Sequence, residues 1–147
     1  MKLAACAVAC VLTACGSSNT ANPALWVGSW TASGTEVQSC PSGNNTAQLT
    51  GTVNIDSFSS SEVTTMAANG CNLDWTLSGN TAALNGSTQV CTVPGSLGGT
   101  WHATFTAGTL SLSGNTISVG NSGTAVLAIN NTTANCTFTQ SGLLTHN

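Results

Sequence analysis

The 147-residue sequence predicts an all-β domain, an antiparallel meander of roughly eight to ten short strands held by two disulfides. Three observations carry this. Apolar and polar residues alternate with a period of two in several segments, Gly/Asn turns separate them, and no stretch shows a helical period. An up-and-down barrel is favoured over a β-sandwich. Sheet edges are commonly guarded by lysine, and a chain whose only Lys or Arg is Lys2 needs another protection, of which closure is the most complete.

The clearest strand covers 48–56, where Leu49, Gly51, Val53 and Ile55 alternate with Thr50, Thr52, Asn54 and Asp56. The same period recurs at 71–77, with Cys71, Leu73, Trp75 and Leu77 on one face, and again at Trp101, Ala103 and Phe105. Further extended segments are predicted at 25–35, 62–68, 81–84, 88–93, 109–113, 116–119, 124–129 and 136–144. Ser78-Gly79-Asn80-Thr81, Asn85-Gly86 and Ser113-Gly114-Asn115-Thr116 read as two-residue hairpin turns, so sequential strands are expected to pair. The pentad Leu-Ser-Gly-Asn-Thr at 77–81 and 112–116 reads as the same turn chemistry reached twice.

Ahead of this domain stands a leader. Met1-Lys2 and the weakly apolar run 3–14 form a charged n-region and an h-region, too short to span a bilayer, which takes about 20 residues. The run ends at Leu12-Thr13-Ala14-Cys15-Gly16, which resembles the lipobox of bacterial lipoproteins. Leu3-Ala4-Ala5-Cys6 and Ala7-Val8-Ala9-Cys10 leave too little apolar sequence before them to compete. The resemblance implies cleavage before Cys15, diacylglycerol on its thiol and acylation of the new amine, a palmitate-type membrane anchor. Residues 1–14 are then signal peptide, 15–24 the lipidated cysteine and a polar tether, and 25–147 a single β-domain. Gly16 stands where an aspartate would favour retention at the inner membrane, so the implied location is the cell envelope, at the outer membrane.

Composition narrows the function. Without Lys2 the chain has no Lys or Arg, and its charge comes from Glu36, Asp56, Glu62 and Asp74. Nucleic-acid binding draws its affinity from phosphate neutralisation by Lys and Arg, so nucleic acid is not expected as a partner. The same absence removes Arg clamps for phosphate or carboxylate substrates. Cys40, Cys71, Cys91 and Cys136 lack any Cys-x-x-Cys or ligand-spaced histidine and read as disulfides rather than zinc ligands. Cys71–Cys91 with Cys40–Cys136 is preferred among three connectivities, because the first pair flanks a hairpin and the second joins the two ends of the domain.

Trp26-Val27-Gly28-Ser29-Trp30 carries a Gly-x-Trp similar to that on the first strand of lipocalins and related calycin barrels. The resemblance covers Gly28 to Trp30 and implies that Trp30 closes one end of a barrel. The family's barrel-closing arginine has no counterpart, since the mature chain has no arginine.

Groups for catalysis are few: His102, His146, Glu36, Asp56, Glu62 and Asp74. His146 is expected to fray, His102 to lie on a polar strand face, and no Gly-x-Ser-x-Gly elbow marks a nucleophile. Asp56 and Asp74 read as solvated surface carboxylates. Asn69, Asn72 and Asp74 lack the order of a calcium loop. The expectation is a non-enzymatic module with no cofactor and no metal, held to the membrane by its lipid and serving a structural or interaction role with an envelope protein. The alternative is a lipocalin-like carrier of a small apolar ligand, which predicts an internal cavity of some hundreds of Å³ lined by Trp75, Trp101 and Phe105.

Overall fold

A computed structural model describes residues 20–94, 99–129 and 132–147; Cys15 and the leader lie outside the described residues. A short 3-10 helix, Pro23–Leu25, precedes nine strands: β1 (Gly28–Cys40), β2 (Gly43–Ser59), β3 (Glu62–Ala67), β4 (Asn72–Ser78), β5 (Thr81–Leu84), β6 (Gln89–Pro94), β7 (Thr100–Ser113), β8 (Thr116–Ile129) and β9 (Thr132–His146). They form one antiparallel sheet in the order β5-β4-β3-β2-β1-β9-β8-β7-β6, and an added β5–β7 pairing closes it into a ring. Closure is therefore the device that protects the edges of a sheet without lysine.

The strands are longer than alternation alone predicts. The segments at 101–105 and 109–113 join in β7, and those at 116–119 and 124–129 join in β8. Glycine inside these strands makes room instead of breaking them. Gly123 pairs with Phe105 on one side and Phe138 on the other, and a Cβ there would lie 2.9 Å from Phe138 Cζ. The two rings meet edge-on beside it, centroids 5.0 Å apart.

One pairing departs from the meander. Asn85-Gly86 does not close a hairpin, because β5 and β6 do not pair with each other. Both dock on the same edge of β7, β5 against Thr109 to Ser111 and β6 against Thr100 to Phe105. On its other side β6 meets β4 through a side chain. Gln89 Nε2 donates to the Asp74 carbonyl at 2.7 Å and Gln89 Oε1 accepts from the Asp74 amide at 2.8 Å, the two bonds a neighbouring strand would make. The Cys71–Cys91 disulfide crosses the same seam. The second disulfide, Cys40–Cys136, joins the end of β1 to β9 across 96 residues of sequence.

The two identical pentads build equivalent turns. Thr81 Oγ1 donates to the Ser78 carbonyl and Thr116 Oγ1 to the Ser113 carbonyl, each at 2.9 Å, with Gly79 and Gly114 both at φ 58°. The next strand around the ring is held by each turn: Leu112 N donates to Asn80 O, and His146 N to Asn115 O.

The barrel interior is filled at that end, although a recess of about 340 Å³ lies outside it between the 3-10 helix and the two turns. Trp26, Trp30, Ile55, Val63, Leu77, Ala82, Leu112, Ile117 and Leu144 are all buried there. Trp30 lies beneath the 3-10 helix and donates from Nε1 to the Trp26 carbonyl at 2.9 Å. His146 does not fray as the sequence suggests. Its backbone pairs with Trp30 in the β1–β9 ladder, and its ring stands edge-on to that indole.

Candidate functional site

At the other end the interior opens. β2 is 17 residues long, but β3 pairs only with its second half, from Val53 onward, so residues 43–52 run past the short β3–β4 hairpin. This leaves a notch between β2 and β6. A cavity of about 340 Å³ lies behind it, with Leu49, Val53, Leu73, Trp75, Phe105 and Leu110 among its walls. A smaller one of about 140 Å³ continues toward Trp101, Val93 and Cys91. Leu49, Asn69, Cys71, Phe105 and Gln140 belong to both, so the two are lobes of one space.

The three aromatics singled out from the sequence are divided between the lobes. Trp75 lines the larger, Trp101 the smaller, and Phe105 stands between them. Trp75 is wholly buried and donates from Nε1 to Thr65 Oγ1 at 3.0 Å, so its indole N–H is satisfied within the barrel. Gly108 makes this possible: a Cβ there would lie 2.9 Å from the Trp75 ring and 2.8 Å from Asn121 Oδ1. All four predicted disulfide cysteines are paired, and Cys71 and Cys91 form part of the cavity wall.

A polar belt crosses this apolar chamber. Glu36 on β1, Gln140 on β9 and Asn121 on β8 are direct cross-strand neighbours. Gln140 Nε2 donates to Glu36 Oε2 at 2.7 Å, and Asn121 Nδ2 donates to Gln140 Oε1 at 3.1 Å. Gln38 Nε2 donates to the other carboxylate oxygen of Glu36. Asn121 Oδ1 is buried and accepts from no group. The belt did not feature among the sequence-predicted ligand contacts, although the signal exists. Counting in twos from buried Trp30 puts Ala32, Gly34, Glu36 and Gln38 on the same face, but the predicted strand stops at residue 35, one short of Glu36.

The remaining candidates lie outside. His102 is exposed on β7, its Nδ1 2.9 Å from Thr92 Oγ1. Asp56 and Asp74 are exposed on either side of Thr64, whose Oγ1 donates to Asp74 at 2.6 Å. Asn69 Oδ1 accepts from the Cys71 amide at 3.1 Å, a turn-forming contact. No group of three or more metal-ligating side chains occurs among the described residues.

The chain matches no family model, no curated protein and no solved structure. The likeness to lipocalins thus rests on Gly28 to Trp30 alone.

Proposed function

We propose that this chain is a lipid-anchored envelope protein whose barrel binds a small, largely apolar ligand. One observation carries the reading: a space of about 340 Å³ with mainly apolar walls, inside a barrel whose opposite end is filled by Trp26, Trp30 and Ile55. Small-molecule sites are of this kind, concave, mostly apolar and about 300–1,000 Å³ in volume. A barrel serving only as a spacer or docking module has no need of an apolar recess of this size. The geometry therefore favours the carrier over the structural or interaction module that the sequence alone makes the simpler reading. Anchorage through Cys15, export and placement at the outer membrane are part of the proposal; the lipobox and the two disulfides support them.

The test is binding of the neutral fluorophore N-phenyl-1-naphthylamine by the purified chain and by Ala67→Trp, which fills the larger lobe from its wall. The carrier reading expects saturable binding by the wild type and its loss in the variant at an unchanged unfolding midpoint. Absence of binding by the wild type leaves the module. Anchorage is tested separately by intact mass of the membrane-extracted protein, which gains two or three acyl chains at Cys15, and by its release to the soluble fraction in Cys15→Ala.

A further inference from the structure

We infer that the chamber selects amphiphiles with a protonated-amine head, the ammonium seated at the Glu36–Gln140–Asn121 belt and the hydrocarbon body along Leu49, Val53, Trp75 and Phe105. This rests on the carrier reading and names the ligand chemistry of that same site.

The argument begins with Glu36. Its carboxylate is half-buried in the wall of the smaller lobe, and its hydrogen-bond partners are the neutral amides of Gln38 and Gln140. No lysine or arginine follows Lys2, so no guanidinium or lysyl ammonium among the described residues neutralises it. A half-buried carboxylate with only neutral partners is a favourable place for an opposite charge.

The carboxylate also sets the direction of the belt. An ionised carboxylate only accepts, so Gln140 must turn its NH₂ toward Glu36, which leaves Gln140 Oε1 facing Asn121. Asn121 must then turn its NH₂ toward Gln140, and its Oδ1 is left as an acceptor with no donor. Two amides whose O and N are otherwise interchangeable are thus both oriented by one negative charge. The belt ends in an unmet acceptor in the wall of the larger lobe and begins at an uncompensated anion in the wall of the smaller. An ammonium beside Glu36 supplies the positive charge that the carboxylate lacks, and its three donors suit a group that only accepts. A carboxylate head meets repulsion from Glu36 and offers no donor. The other three carboxylates of the domain, Asp56, Glu62 and Asp74, add a field of the same sign that draws cations and repels anions.

The experiment displaces N-phenyl-1-naphthylamine at pH 7 with octylamine, 1-octanol and octanoate, which share one tail length and differ in the head. The expected order is octylamine, octanol, octanoate, with about tenfold between successive members, the scale of one charge-assisted hydrogen bond. Glu36→Gln removes the advantage of the amine over the alcohol, whereas Asp56→Asn, on the exposed face of β2, keeps it. Should Glu36→Gln fail to fold, shifts of the Gln140 and Asn121 side-chain amides when octylamine is added to labelled wild type locate the head instead, and their absence overturns the assignment. Equal displacement by all three probes, preference for octanoate, or an equal loss in Asp56→Asn overturns the amine selectivity and leaves the carrier reading standing. If the fluorophore does not bind at all, both fall together.

Discussion

The indole of Trp30 and the imidazole of His146 meet edge to face, ring centroids 4.7 Å apart at 85°, at the point where the first strand pairs with the last. Gly28 gives the imidazole its space, since a Cβ there would lie 2.7 Å from His146 Nε2. Trp30 is 1% exposed, whereas His146 is open to solvent, so the two sides of this contact differ in weight. Trp30→Ala is expected to destabilise the barrel by about 3–5 kcal/mol, and His146→Ala by about 1 kcal/mol or less. Urea unfolding followed by fluorescence measures both.

The disulfides differ in the length of chain they close, 96 residues for Cys40–Cys136 and 20 for Cys71–Cys91. On the chain-entropy model, replacing both cysteines by serine costs about 4–5 kcal/mol at the first and about 3 kcal/mol at the second. The shorter bridge lines the chamber, so its removal should also weaken fluorophore binding. Paired measurements of unfolding midpoint and affinity separate the two effects.

Gln89 stands in for a strand at the β4–β6 seam. Gln89→Ala is expected to cost about 1 kcal/mol, modest because the site is partly wet. Gln89→Glu keeps the acceptor for the Asp74 amide but sets a carboxylate against the Asp74 carbonyl, and should cost more than the alanine. Hydrogen exchange at the Asp74 amide should quicken in the alanine variant while amides of the β1–β9 ladder hold their rates.

At Gly108 the limit is space. Ala or Val there collides with Trp75 and Asn121 at once, and overpacking of this kind costs about 1–3 kcal/mol. Trp75 emission should shift as the ring is displaced into the chamber, with a parallel fall in fluorophore affinity. An unshifted spectrum with wild-type binding would contradict the packing described for this wall.

Much of this was legible in the chain. Wherever one face is buried and the other wet, composition shows it, so β4, with Leu73, Trp75 and Leu77 inward, reads directly. The repeated Ser-Gly-Asn-Thr turns are equally plain, because positive φ needs glycine. Strand ends were harder. Gly108 and Gly123 look like breaks to a local reading, but they are sites where Trp75, Asn121 and Phe138 come close from other strands. Asn85-Gly86 departs from the hairpin its residues predict for a related reason: turn chemistry says that the chain reverses, not which strand it then joins.

The sequence alone determined the all-β class, the antiparallel order and the absence of Lys and Arg after Lys2, because each follows from short-range alternation, turn chemistry or counting; it preferred Cys71–Cys91 with Cys40–Cys136 among three pairings without fixing it. Tertiary structure alone decided that β5 and β6 share one edge of β7, that β3 stops short and opens a notch beside β2, and that Glu36, Gln140 and Asn121 align across three strands inside the barrel. Register between strands separated by 104 residues depends on how the whole ring closes, and no local pattern encodes it.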